Sequence, residues 1–356
     1  MLNNLGNRLL DQFRRTKNNQ DFDAATTTHF ASWKIIPAPP LHRINAALQA
    51  AKCLVFLSLF KKIKRACSLL RGAVHLMPLV TSRSLGREDH QHILEKLMGL
   101  ASLATSVSLE AGESPMEALR LLELGRSVTN GQLLDYRSDI SHLEECYPTL
   151  AKDFDTLRQE MDSPCPAFQS SGIPTEEYLR AQQSTIRRRN KVAEELNQVL
   201  LQIRRKPGFL NFLCADSEAY LLSAAHEGPI VVLNITRLRS DAILVTKDKV
   251  TSICLPELSH ASLNRYCGTE ARTLDNRVQR ELLEWLWKAA VQPVLKKLGF
   301  YVHPMPKKGD PLPRIWWIGV GLMSKAPIHA AAKFKNGRVQ RTTLHYCIPS
   351  YTSTIR

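Results

Sequence analysis

Through much of the first half of the chain, apolar residues recur at spacings of three and four. Leu41, Ile44, Leu48, Ala51 and Val55 form one series, and Ile63, Ala66, Leu70, Ala73 and Met77 the next. They predict the two helices of one hairpin, with Pro78 near the end of the second. A longer helix is predicted from about Arg87 to Glu110 on Ile93, Leu97, Leu100, Ala104 and Val107, closing at Gly112. The pattern restarts after Ser114-Pro115, where serine can cap a helix and proline suits its first turn. That next helix carries Met116, Leu119, Leu122 and Val128, with Gly125 inside it. Such helices in antiparallel succession cannot bury their stripes alone and must stack on neighbours, the logic of a solenoid.

The first 40 residues read as a broken repeat, interrupted by Thr26-Thr27-Thr28 and Pro37-Ala38-Pro39-Pro40. A second polar, proline-bearing break runs from Ser163 to Pro174. Domain boundaries are placed at both: a degenerate repeat and linker (1–40), a helical arm (41–162), a linker (163–174) and an α/β region (175–356). A charged helix from about Thr175 to Arg205 precedes a change of grammar. The β-branched runs Pro229 to Thr236, Asp241 to Thr246 and Val250 to Leu255 predict a meander or hairpin pair. Asn276 to Leu298 predicts an amphipathic helix ending at Gly299, and Arg314 to Gly319 a further strand. The fold class expected is α+β overall.

Charge refines this picture without choosing a partner. The net +15 is spread unevenly: 1–90 hold 14 basic against 5 acidic residues, 91–180 hold 7 against 15, and 181–356 hold 27 against 13. Eight scattered cysteines with no CxxC pair suggest free thiols and a cytoplasmic or nuclear home rather than a zinc ribbon or disulfide framework. The longest apolar run, Cys53 to Phe60, is too short to span a bilayer, so no transmembrane segment is expected.

Few residues carry candidate chemistry, and each has a plain structural reading. Cys267 with His260 or His329 would make a nucleophile and base, yet nothing in the sequence brings them together, and Cys267 reads as a loop cysteine. His329 reads as a hydrogen-bonded core histidine. Arg187-Arg188-Arg189 and Lys191, with Glu194 and Glu195 about a turn later, read as a solvated, internally paired face rather than a phosphate stripe. Lys61-Lys62-Ile63-Lys64-Arg65 reads as turn and surface rather than a membrane anchor. Trp285 and Trp287 cannot share one helical face, which places one at a domain boundary. Trp316-Trp317 point to opposite faces of a strand, so both faces should be covered. No catalytic, metal or cofactor site is assigned.

A set of short blocks resembles the fungal CHAT family, caspase-like domains attached to TPR repeats. The first are Leu119 to Arg126, Leu134 to Ile140 and Tyr147-Pro148-Thr149-Leu150, which are similar to that family's linker region. Gly208-Phe209, Glu227 to Asn234, Asp241 to Val245, Leu283 to Trp287, Arg314 to Ile318, Pro327 to Ala331 and Ser350-Tyr351-Thr352 follow in the family's order. Leu2 to Leu9 is similar to the first helix of a TPR unit, with Gly6 letting its partner approach. The resemblance implies a TPR-like solenoid leading into the N-terminal part of a caspase-like α/β domain. It also implies that the family's His-Cys dyad would fall beyond Arg356. Lys325, the Ala331-Ala332-Lys333 ending and the apolar run Val55 to Phe60 depart from the family's pattern.

The function expected is a non-catalytic protein-interaction scaffold or adaptor that binds protein partners through the helical arm. The alternative is a fragment of a caspase- or separase-like cysteine peptidase. Nucleic acid is not the expected partner. A weaker reading nevertheless gives the last 56 residues, with nine Lys/Arg and one Asp, an affinity for polyanions through Lys307, Lys308, Lys333, Lys335, Arg338 and Arg341.

Overall fold

The computed structural model describes residues 2–56, 60–80, 97–129, 133–162, 176–210, 212, 217–268, 275–301, 311–336 and 338–355. The 163–174 break, the opening of the 87–110 helix, Leu57 to Leu59, Cys165, Cys214, Lys307 and Lys308 lie outside the described residues. The chain is mixed helix and strand and forms two compact units that do not follow chain order. One comprises Met1–Ala101 with Leu124–Ala215, the other Ser102–Glu123 with Asp216–Arg356.

The first unit is helical: α1 Leu2–Thr16, α2 Asn19–Trp33, α3 Pro40–Phe56 and α4 Phe60–Val80 precede α5 Leu100–Glu110 and α6 Pro115–Thr129, both shared with the second unit. Then follow α7 Leu133–Cys146, α8 Pro148–Asp162 and α9 Glu176–Arg204. Residues 1–40 are thus two complete helices. Thr26, Thr27 and Thr28 stay within α2 because each hydroxyl donates to the carbonyl four residues back, Phe22, Asp23 and Ala24, at 2.8, 2.9 and 2.7 Å. The threonines are thereby accommodated as helical residues. Asn18 caps α2 by accepting from Gln20 N at 3.0 Å.

Small residues set the crossings of this unit. A Cβ on Gly6 would fall 2.6 Å from the His29 ring, one on Gly72 2.8 Å from Trp33, and one on Gly125 2.4 Å from the Ala101 methyl. His29 is fully buried between α1 and α2, with its Nδ1 2.8 Å from Asn3 Oδ1. An amide oxygen only accepts, so Nδ1 donates, while the buried Nε2 has no partner among the described residues and burial disfavours a second proton.

Burial lowers the His29 pKa below its ordinary value of 6.5. The folded ring therefore resists a proton that the unfolded chain takes up. Stability is unaffected above about pH 6.5 and is lost as pH falls below it, by at most about 1.4 kcal/mol per pH unit, until the folded pKa is reached. Urea midpoints measured from roughly pH 7 to pH 5 should fall more steeply for the natural chain than for His29→Gln; parallel curves would contradict this role.

The second unit carries a five-stranded sheet of order β3-β2-β1-β4-β7. Its strands are β1 Ile230–Ile235, β2 Ser240–Val245, β3 Val250–Cys254, β4 Arg314–Gly319 and β7 Ile348–Tyr351; a separate hairpin comprises β5 Ala332–Lys335 and β6 Arg338–Thr342. β1, β2 and β3 form an antiparallel meander, whereas β4 runs parallel to β1 and β7 parallel to β4. Every residue of β1 and β2 is buried.

A short helix, α10 Glu218–Ser223, precedes the sheet, and α11 His260–Cys267, α12 Asn276–Leu286 and α13 Gln292–Lys297 follow β3. One sheet face, through Val231, Leu233, Leu244, Ile315 and Trp317, packs into a core with helices of this unit. The core draws on α11, α12 and α13. Between α12 and α13 the helix widens into one π turn, Trp287–Val291, where Gln292 N–H reaches back five residues to Trp287 O. Pro293 explains the turn, since its ring excludes the ordinary bond to Ala289 O.

The β7 edge is blunted. Ile348 N donates to Pro313 O at 2.9 Å and Thr352 N to Trp317 O at 3.3 Å, so by alternation Pro349 and Tyr351 face away from β4. Proline offers no N–H there, leaving Tyr351 as the outward donor of the strand.

Candidate functional site

The titratable residues singled out in the sequence do not gather into a catalytic constellation among the described residues. Cys267 ends α11, not a loop, and is buried; desolvation raises its pKa. Burial pushes the Cys347 thiol up to about 12. Both are neutral thiols at ordinary pH rather than thiolate nucleophiles. His260 opens α11, with its ring 3.4 Å from Asn264. No three His, Cys, Asp or Glu among the described residues are placed to hold a metal.

His329 corrects the sequence reading. It is exposed, not a core residue, and it leans on Tyr351, whose hydroxyl lies 2.8 Å from the His329 backbone N–H and 2.9 Å from Nδ1. The hydroxyl accepts from the backbone and donates to the ring, so Nε2 carries the proton. That tautomer ties the turn before β5 to the end of β7.

On α9, Arg188 makes a two-pronged pair with Glu160, both bonds 2.6 Å, and Lys191 lies 3.5 Å from Glu195. The carboxylate raises the Arg188 pKa through hydrogen bonding. The face is solvated as the sequence pattern favoured, and Lys191 pairs within the helix, but Arg188 takes its partner from the neighbouring helix rather than from Glu194 or Glu195. Arg189 lies outside the residues whose side chains are described. Trp287 is buried and Trp285 half-buried, with Trp285 Nε1 donating to Glu257 O at 3.0 Å. The two indoles face different neighbours: Trp285 meets Tyr266, and Trp287 meets Tyr301 and Tyr346.

Two features were not anticipated from the sequence. In the sheet unit, Asn234 is a buried amide on β1. Ser102 Oγ donates to its Oδ1 at 2.7 Å, and its Nδ2 donates to Ser102 O and Ser106 Oγ, each at 3.0 Å. Beside it, Arg239 grips buried Asp241 through two bonds of 2.8 and 2.7 Å and reaches Glu110 at 2.8 Å. These contacts fasten the 102–123 segment to the sheet face opposite Trp317.

The second feature is an aromatic ladder in the helical unit. Phe13 of α1 lies 5.0 Å from Phe22 of α2, and Phe22 lies 5.7 Å from Phe56 at the end of α3. Phe22 is buried, but Phe56 is 70% exposed. The stripe of α1 likewise exceeds its contact with α2, leaving Leu2 and Leu5 exposed. Aromatic side chains that keep a large apolar area in water, braced from behind by other rings, have the character of binding anchors.

No helix among the described residues is long and apolar enough to cross a membrane. Compared with protein-family models, with curated proteins and with solved structures, the chain finds no match in any of the three.

Proposed function

We propose that the protein is a non-catalytic interaction scaffold or adaptor of the kind implied by its resemblance to the CHAT family, engaging protein partners through the helical arm. The observation that carries this reading is Phe56, an exposed aromatic at the end of a ladder whose other rungs are packed. Glycine-mediated crossings at Gly6, Gly72 and Gly125 support a stacked, TPR-like arm. For the remainder, the parallel run of β1, β4 and β7 supports the opening part of a caspase-like α/β domain. Cys53, Cys67, Cys146, Cys254, Cys267 and Cys347 are not in disulfides among the described residues, which suits a cytoplasmic or nuclear setting.

Affinity capture with the tagged full chain, followed by Kd measurement on each recovered partner, tests the reading. Phe56→Ala should weaken binding by at least about 30-fold, the effect of truncating an aromatic anchor worth about 2 kcal/mol. Leu5→Glu tests the α1 stripe in the same assay. Partners whose affinity is indifferent to both substitutions would sink the proposal.

A further inference from the structure

The β5–β6 hairpin has a register that works against its own stability. Lys333 is paired with Arg341 and Lys335 with Arg338, while Phe334 faces Val339 across a bulge at Lys333/Phe334. Lys333, Lys335 and Arg338 are exposed, with Lys335 and Arg338 directly opposed across the ribbon, while half-buried Arg341 turns its guanidinium to Tyr301. Like charges in this relation destabilise a hairpin. Among the described residues no carboxylate lies within ion-pair distance of Lys333, Lys335 or Arg338. Glu281 on the neighbouring α12 is engaged by Arg265 and Arg277.

The hairpin is held from behind by aromatic packing. Arg280 of α12 lies 5.4 Å over the Phe334 ring. Arg341 lies 5.3 Å over Tyr301 and hydrogen-bonds its hydroxyl. Tyr301 stacks on Tyr346 at 5.2 Å, and Trp287 closes the group at 6.0 Å from Tyr346. The cations are therefore presented on an anchored ribbon, beside an open groove of about 720 Å³ lined by Lys335, Asn336, Arg338, Val339, Gln340 and Arg341.

We propose that the β5–β6 hairpin is a binding site for the phosphate backbone of nucleic acid. Residues two apart on a strand lie about 6.6 Å apart and paired strands about 4.8 Å apart, so the exposed Lys333, Lys335 and Arg338 form a compact cluster of charge. A row of phosphates is a ligand that relieves the opposed Lys335 and Arg338 and takes in Lys333 beside them. The Asn336 and Gln340 amides add neutral donors of the type that contact phosphate and sugar. A two-stranded ribbon also fits the width of a duplex major groove. The turn, residues 335–338, holds Lys, Asn, Gly and Arg and has no apolar wedge for a bilayer. The basic composition of the last 56 residues raises nucleic acid only as a weaker reading; the cross-strand register is what brings it forward.

The test uses the full chain and a short fluorescent oligonucleotide, single-stranded and as a duplex, titrated by anisotropy between about 50 and 200 mM salt. The variant Lys333→Gln/Lys335→Gln/Arg338→Gln leaves Arg341 in place, because Arg341 also holds Tyr301. It should lose on the order of 10²-fold in affinity near 0.1 M salt and flatten the log–log salt slope by about 2 to 3. Arg237→Gln/Lys247→Gln/Lys249→Gln removes the same charge elsewhere on the sheet unit and should bind like the natural chain. Lys333→Arg/Lys335→Arg should keep binding, and thermal unfolding checks that all variants fold. Three results would overturn the site: no binding by the natural chain, equal losses in the two triple variants, or binding to phosphatidylserine vesicles without binding to either oligonucleotide.

Discussion

Replacing Arg239 with alanine should cost the sheet unit about 3 to 5 kcal/mol, the penalty for leaving a buried charge without its partner. The reason is Asp241. Its side chain is fully buried on β2, and both carboxylate oxygens are bound by the Arg239 guanidinium. That pair, with its further bond to Glu110, raises the Arg239 pKa, chiefly through hydrogen bonding to Asp241. Removing the guanidinium leaves a carboxylate in the sheet with no cation. Lysine at 239 would supply one charge but not the planar fork, and should recover only part of the loss. Asp241→Asn should cost less than Arg239→Ala, because the arginine it releases is 20% exposed and can meet water. Denaturant unfolding, with hydrogen exchange at β2 amides to assign the transition, measures the order of the three. A loss under about 1 kcal/mol for Arg239→Ala would place the pair among ordinary surface bridges.

Trp317→Ala should be comparably severe, about 3 to 5 kcal/mol, through the cavity it leaves. Trp317 is 0% exposed and heads the fully buried side chains by size. It sits on β4 between parallel β1 and β7, so the void would open beneath an interior strand of the sheet. No acceptor among the described residues reaches its indole Nε1. A phenylalanine there loses some volume but also removes that buried donor, so Trp317→Phe should cost well under half as much as the alanine variant. Equal losses for the two would mean that the indole nitrogen has a partner of consequence.

The strands that read clearly in the sequence are the branched or aromatic runs: β1 and β2, buried on both faces, the half-buried β3, and β4. β1 and β2 are runs of branched residues because nothing about them meets water, and β4 shows itself through Trp316-Trp317 and their neighbours. The helix ending at Gly299 is legible because that glycine takes φ 76. The Ser114 cap is legible because its hydroxyl accepts from Glu117 N at 3.2 Å. β5, β6 and β7 escaped because their strand character rests on pairing. Lys333, Lys335 and Arg338 read as charge rather than as alternation, and Pro349 argues against a strand anywhere but at an edge. The π turn is invisible to a search for 3.6-residue periodicity, although it reconciles the continuous apolar stripe with Pro293.

The candidate surfaces were legible only in part. The sequence flagged the C-terminal lysines and arginines, yet their opposition across two strands needs a register. Phe56 was noted as part of an apolar run near a turn; its exposure and its place behind Phe22 depend on the packing of three helices. His329 misled because Pro327 to Ala331 is apolar around it, while its own ring faces outward to Tyr351. Asn234 sits in an apolar strand as one polar letter, and its partners on α5 lie far off in the chain.

That last separation has a consequence in time. Ser102 and Asn234 are 132 residues apart, and Glu123, which accepts from Ile355 N at 3.0 Å, waits for a partner 232 residues later. At about 5 to 20 residues per second of synthesis, the first of these contacts becomes possible roughly 7 to 26 s after Ser102 is made. During that interval the 102–123 segment exists without the sheet it is built to cover. A nascent chain stalled before β1 thus leaves Ser102, Ser106 and Glu110 without the Asn234 and Arg239 side chains that bind them in the folded chain.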